Sequence, residues 1–307
     1  MKQVIVLAGA TGNLGERIAN ALLDNGAEVR ALVRAESDVE KILKLEQKGV
    51  KVIKIINWSA SEILPVCEGA SCVVSALAGL RDVIIDAQKI LLDAAIAAKV
   101  PRFIPSDYSL DFTRFSYGEN RNLDWRREFH EYLDKTTIAA TTIFNGAFTD
   151  MLTGQMPLIL FKQKLILYWG NADREWAFTT IQNTAEYTAK VVMDSNTPRY
   201  LHIAGDQVSP RQMKKIVSEI TGEKFRLFKA GGNGLLGFII KIARKFSPGT
   251  NELYPAWQGM QYMSNMIDDR SKLTKLDNIR YPEMLWVTAK DVLRAYEVVR
   301  NNIANLK

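Results

Sequence analysis

Gly9, Gly12 and Gly15 stand three apart in the run Gly9-Ala10-Thr11-Gly12-Asn13-Leu14-Gly15, and residues in this pattern can hold a phosphate. An apolar strand over Val4–Ala8 leads into the run and an amphipathic helix over residues 14–23 leaves it. A turn this tight needs glycine, and a position without a side chain lets the backbone approach a pyrophosphate. The helix start presents free N–H groups and the positive end of its dipole to the anion. A second strand over residues 28–33 follows Asn25-Gly26, completing a strand–helix–strand unit suited to a dinucleotide. Gly9, Thr11, Gly12, Asn13, Leu14 and Gly15 are therefore candidate cofactor contacts.

The end of the second strand points to the kind of dinucleotide. A carboxylate here would bond a ribose 2′-hydroxyl, but Val33 is followed by Arg34 and Ala35, and the first acid is Glu36, read as the start of the next helix. A guanidinium suits a 2′-phosphate, so the expected cofactor is NADP(H).

The elements that position this cradle alternate in type. Strands are expected over 50–56, 72–77, 102–105 and 141–144, with helices over 61–67 and 82–98. The predicted class is α/β, a Rossmann-type doubly wound parallel sheet with a smaller, discontinuous C-terminal substrate lobe. Ligands of such sheets lie outside the carboxyl ends of the strands, which nominates Asn57, Ser75, Ala76, Leu77, Pro105, Ser106 and Asn145 as further cofactor contacts.

Residues 1–150 form the expected dinucleotide-binding domain, with 178–200 returning to it; residues 151–177 and 201–307 form the substrate lobe. Residues 176–180 are expected to rejoin the main sheet, and Ser209-Pro210 starts a helix that Thr221-Gly222 ends. The helix over 235–246 is basic and amphipathic and reads as a lid over a substrate pocket in preference to a membrane surface. Tyr108, Phe148, Trp176, Tyr254 and Trp257 are candidate walls of a pocket for a flat substrate, with core packing as the alternative.

The 307 residues, 47% hydrophobic and 24% charged, suffice for such a core plus a lobe. The net charge of +6 reads as modest and spread along the chain, and no basic run is interleaved with stacking aromatics, so nucleic acid is not an expected partner. Neither is a membrane, since no apolar run reaches a span's length, and the cytoplasm is the expected compartment. Cys67 and Cys72 read as small buried or half-buried residues, and with His130 and His202 the only histidines no metal site is expected.

Gly9 to Gly15, Leu32-Val33-Arg34, Arg102-Phe103-Ile104-Pro105-Ser106-Asp107-Tyr108 and Phe178-Thr179-Thr180 together resemble the NmrA-like and isoflavone-reductase-like group of atypical short-chain dehydrogenases. The resemblance covers most of the chain and is weakest beyond Gly222. It implies NADP binding. It leaves the reaction open between reductases of aromatic, phenolic or quinone substrates and members that sense the NADP redox state.

The resemblance also implies a lysine on the helix after Pro105-Ser106-Asp107, to orient the nicotinamide ribose and assist proton transfer. None stands there. In Leu123-Asp124-Trp125-Arg126-Arg127-Glu128-Phe129-His130-Glu131, counting places Arg126, or with a one-residue slip Arg127, at that position. Arginine bonds a ribose or an anion but does not give up a proton at neutral pH. Tyr117 and Arg121 imitate a four-residue Tyr-Lys spacing, but Tyr117-Gly118 reads as a loop.

His130, one turn from Arg126, is either a titrating group or a surface or capping histidine. Asp107 is either a proton acceptor or, the favoured reading, a cap. Arg126, Asp107 and His130 are the candidate catalytic residues. The expectation is an NADPH-dependent reductase of a small aromatic, quinone or carbonyl-bearing substrate. The alternative is a non-catalytic NADP(H)-binding redox sensor acting through a protein partner.

Overall fold

The structure, a computed structural model, describes residues 2–305, with side chains through residue 299. The chain divides into two compact units. The first runs to Tyr108 and takes in Arg121–Phe144 and Thr184–Leu201; the second comprises Ser109–Asn120, Asn145–Asn183 and the chain from His202 onward.

In the first unit, β1 (Val4–Ala8), α1 (Asn13–Asp24), β2 (Glu28–Arg34), α2 (Val39–Gln47), β3 (Lys51–Ile55), α3 (Ala60–Cys67) and β4 (Cys72–Ser75) alternate. They are followed by α4 (Gln88–Ala97), β5 (Arg102–Ile104), α5 (Arg121–Leu133), β6 (Ala139–Ala140) and β7 (Thr142–Phe144). The main sheet has the order β3-β2-β1-β4-β5-β6 and its pairs are parallel, with Ile5 opposite Val29 and Cys72. This is the expected Rossmann-type α/β architecture. The runs Val4–Ala8 and Cys72–Ser75 carry almost no polar residue because central parallel strands are covered on both faces. Val6, Val73, Leu91, Leu92, Phe103, Phe129 and Leu133 form one buried cluster with Cys67, and both cysteines are free and buried.

Several local expectations need correcting. Glu36 lies in an exposed turn rather than at a helix start; α2 begins at Val39, capped by the Asp38 carboxylate, which accepts from the Glu40 N–H at 2.9 Å. The helix expected over 82–98 begins as a π-helical segment, Asp82–Ala87, and only then becomes α4. The π winding leaves carbonyls to other donors. Trp58 Nε1 donates to the Ala87 carbonyl at 2.9 Å, and Gln88 Nε2 to that of Ile84 at 2.6 Å.

Two later elements close the unit: α6 (Ile181–Met193), most of which belongs to it, and β12 (Tyr200–His202), which pairs with β7. Arg102 ends α6. Its guanidinium donates to the carbonyls of Val191 (3.1 Å), Val192 (3.3 Å) and Asp194 (2.5 Å) and to Thr197 Oγ1 (2.7 Å), satisfying acceptors that every helix end leaves open.

In the second unit, β8 (Ala147–Phe148), β11 (Trp176–Thr179) and β13 (Asp206–Val208) form a small sheet in the order β13-β11-β8, and β9 (Ile159–Leu160), β10 (Leu165–Trp169) and β14 (Arg226–Gly231) form another in the order β14-β10-β9. The strand beginning at Trp176 therefore does not rejoin the main sheet. It pairs through Trp176 with Val208 and through Phe178 with Ala147. The unit's helices are α7 (Pro210–Thr221), α8 (Asn233–Phe246), α9 (Ala256–Met266) and α10 (Ala289–Asn305). Ser209 and Gln212 make a reciprocal capping box before α7, and Gly222 ends the helix in the left-handed conformation. Among the described residues no helix is long and apolar enough to cross a membrane.

Candidate functional site

The three glycines of the Gly9–Gly15 run are needed for different reasons. Gly9 has φ +85°, and a β-carbon on it would lie 2.5 Å from the Ala76 carbonyl oxygen. One on Gly15, in the first turn of α1, would lie 2.0 Å from the Gly9 oxygen. These two let β1, α1 and the end of β4 approach each other. Gly12 differs, for a β-carbon there would meet only the Gly9 oxygen, at 3.3 Å. Its backbone is extended and exposed, and it stands at the start of α1 with no side chain capping the helix N–H groups. The protein's own packing makes little demand for glycine at this position, so the open space beside it fits a ligand's phosphate. Asn13, beside it, accepts a bond from Arg17 Nε at 3.0 Å.

Arg34 is exposed at the end of β2, and among the described residues no acid pairs with it. Asn57 is also exposed, but its amide donates to Glu62 Oε1 at 3.0 Å and its N–H to the same oxygen at 3.1 Å, so it closes the turn before α3. Ser75 ends β4 fully buried, its hydroxyl without a hydrogen-bond partner among the described residues. Ser106, just past β5, donates its hydroxyl proton to the Leu77 carbonyl at 2.6 Å, while its N–H is held by Gln88 Oε1 at 2.9 Å. Buried Gln88, which the sequence reading missed, thereby ties the π-helical segment to the end of β5.

Arg126 Nε donates to the Ser106 carbonyl at 3.1 Å and Nη1 to the Asn122 carbonyl at 2.9 Å. The guanidinium is thus fixed against the end of β5.

The Asp107 carboxylate is fully buried, 2.5 Å from His130 Nε2, and accepts from Thr142 Oγ1 at 2.9 Å. His130 is not on the helix surface. It is buried, and Arg199 Nη2 donates to its Nδ1 at 3.0 Å. A guanidinium can only donate, so Nδ1 accepts and Nε2 carries the hydrogen given to Asp107, an assignment made from the network. Arg199 Nη1 also donates to Thr142 Oγ1 at 2.7 Å. Burial pushes the Asp107 carboxyl up, but the His130 contact, the Arg126 charge and the Thr142 hydroxyl together hold it below the usual carboxylate range. Both proton-carrying candidates are engaged with partners inside the fold.

The other candidates divide between the two units. Tyr108 is buried in the first unit, and burial raises its phenol well above the usual value. In the second unit Trp176 and Trp257 are buried, the latter donating Nε1 to the Ser247 and Pro248 carbonyls at 3.1 Å each. Phe148 is half-buried, whereas Tyr254 is exposed. Asn145 is fully buried; its carbonyl accepts from Thr179 Oγ1 at 2.7 Å, and its side-chain amide has no hydrogen-bond partner among the described residues. Sequence gave no sign of the buried amides around α9, where Gln258 Nε2 donates to Asn120 Oδ1 at 2.7 Å and Asn120 Nδ2 to Asn265 Oδ1 at 2.9 Å.

A model of the NmrA-like family matches residues 1–254. The chain belongs to the NmrA-like family. It is 24% identical over 314 residues to pinoresinol reductase 2 of Arabidopsis thaliana, covering 96% of this chain and 97% of that one. Among solved structures it is similar to an isoflavone reductase (TM-score 0.81, 18% identity, 96% of this chain and 100% of that one). It is also similar to the leucoanthocyanidin reductase–NADPH complex of Vitis vinifera (TM-score 0.79, 18% identity, 96% of this chain and 99% of that one).

Proposed function

We propose that this chain is a cytoplasmic NADPH-dependent reductase of a small aromatic, quinone or carbonyl-bearing molecule. The observation that carries the cofactor reading is the pairing of Gly12, where only a ligand demands glycine, with Arg34, a guanidinium at the end of β2 with no acid beside it. The relatives support the substrate class, since they are reductases of aromatic plant compounds by name.

The α1 N–H groups and Gly12 would hold the diphosphate and Arg34 the 2′-phosphate. Bound NADPH supplies a hydride. Arg126, whose Nη2 makes no hydrogen bond among the described residues, would bond a ribose hydroxyl or a developing oxyanion without delivering a proton. Asp107 and His130 position the end of β5 against α5, because their own bonds already use the Nε2 hydrogen and the Nδ1 lone pair. Water is then the proton source.

The same arrangement favours a second reading, a redox sensor that binds NADP(H) and signals through a protein partner, since no lysine stands at the Arg126 position. To separate the two, the loss of reduced nicotinamide absorbance is followed with a panel of quinones, phenolic ethers and aromatic ketones. Turnover of any class by the native chain supports the reductase. Tight NADPH binding with turnover only in Arg126→Lys supports the sensor, and absence of NADPH binding refutes both.

A further inference from the structure

Between Glu223 and Glu252 the chain has no acidic residue and six basic ones: Lys224, Arg226, Lys229, Lys241, Arg244 and Lys245. The whole chain has 40 basic and 34 acidic residues, so outside this stretch the two signs balance. The positive charge is therefore not spread along the chain, as the sequence alone suggested. It resides on β14, α8 and the loops around them.

The same stretch exposes large apolar side chains. On α8, Leu235 is 50% exposed, Phe238 60%, Ile242 42% and Phe246 79%. At about 100° per residue these four fall within an arc of about 80°, with Lys241 and Lys245 along one border, while Leu236 and Ile240 face the core. Phe228 and Lys229 of β14 are exposed as well. The adjacent α9 carries no acid to neutralise the cations. Asp268 and Asp269 reach only the other end of α8, where they line a cavity with Asn233, and they are bonded to Arg270 and Arg174.

We infer that this face of α8 docks on an anionic lipid bilayer, the Leu235–Phe238–Ile242–Phe246 stripe entering the interface and the cations meeting lipid headgroups. A helix lying in the membrane plane needs both features, a contiguous apolar stripe and flanking cations. A second copy of the chain is the poorer occupant, because a two-fold contact would oppose the same six cations to themselves. The absence of a spanning helix does not bear on this mode, and the inference is independent of the reductase reading.

The test is co-sedimentation of the full chain with neutral phosphatidylcholine vesicles and with vesicles in which about one lipid in three is anionic, at about 0.05 M and 0.5 M salt. The expected result is binding to the anionic vesicles alone, falling at least about tenfold at the higher salt. Lys241→Glu with Lys245→Glu, and separately Phe238→Ser with Phe246→Ser, should each weaken it at least about tenfold. Lys214→Glu with Lys215→Glu on α7 reverses equal charge elsewhere and should weaken it far less. All six positions lie outside the core, and circular dichroism checks that each variant is folded. Should the phenylalanine pair unfold, the lysine pair decides alone. No binding by the native chain, equal loss in the α7 control, or a native dimer that the α8 substitutions dissolve overturns the proposal, as does capture by an acidic protein with no affinity for vesicles.

Discussion

Alanine at each of the three cradle glycines should give three separable outcomes. At Gly9 the β-carbon meets the Ala76 oxygen at 2.5 Å on a residue with φ +85°, so left-handed strain of about 1–2 kcal/mol adds to overpacking of about 1–3 kcal/mol. At Gly15 the backbone is helical and alanine gains about 1 kcal/mol of propensity, but the 2.0 Å approach to the Gly9 oxygen forces β1 and α1 apart and outweighs it. At Gly12 the contact is 3.3 Å on extended backbone, which a shift of a few tenths of an ångström relieves, so the stability change should stay within about 1 kcal/mol. Urea denaturation measures all three. NADPH titration by fluorescence should then find Gly12→Ala folded but weakened, and Gly12→Val folded with affinity down at least about a hundredfold, about 2.7 kcal/mol. Unaltered NADPH affinity in folded Gly12→Val refutes the placement of the phosphate, and a Gly12→Ala as unstable as Gly9→Ala refutes the packing argument.

His130→Ala leaves the buried Asp107 carboxylate without its nearest partner and should destabilise the chain by about 3–5 kcal/mol in urea titrations; a cost under about 1 kcal/mol contradicts the network. Asp107 is held below the usual carboxylate range, so its contribution is present above the unfolded value of about 4 and disappears as pH falls through the lower folded value; Asp107→Asn should flatten the loss of stability below about pH 4, and an unchanged acid limb speaks against it. Arg102→Ala uncovers the carbonyls at the end of α6 and should cost about 2–3 kcal/mol, with faster amide exchange in the last turn of that helix. Arg126→Ala should lower NADPH affinity by the worth of one or two charge-assisted bonds, about 2 kcal/mol, and Arg126→Lys should restore part of it; no change at all places the ribose contact elsewhere.

The cradle was legible in the sequence because its requirements are local: a tight turn, a close approach and a helix start all fall within Gly9–Gly15. The alternating elements of the main sheet were legible for the same reason, since central parallel strands announce themselves as unbroken apolar runs. The Asp107 network was not. It joins groups separated in sequence by 23, 35 and 69 positions, and nothing around Thr142 or Arg199 signals that they converge on His130. The strand at Trp176 was recognised but given the wrong sheet, because alternation identifies a strand and not its neighbours. The basic, amphipathic character of α8 was legible too, although it was read as a lid in preference to a membrane surface. Which of its two apolar faces is buried depends on the packing of α8 against α9.

The central claim is that Arg34 makes this a site for NADPH rather than NADH. Titrating both reduced cofactors into the native chain and into Arg34→Ala tests it directly. The account predicts at least about a tenfold preference for NADPH in the native chain, about 1.4 kcal/mol, and its collapse in the variant through loss of NADPH affinity alone. Equal affinities in the native chain, or a preference that survives Arg34→Ala, would contradict it.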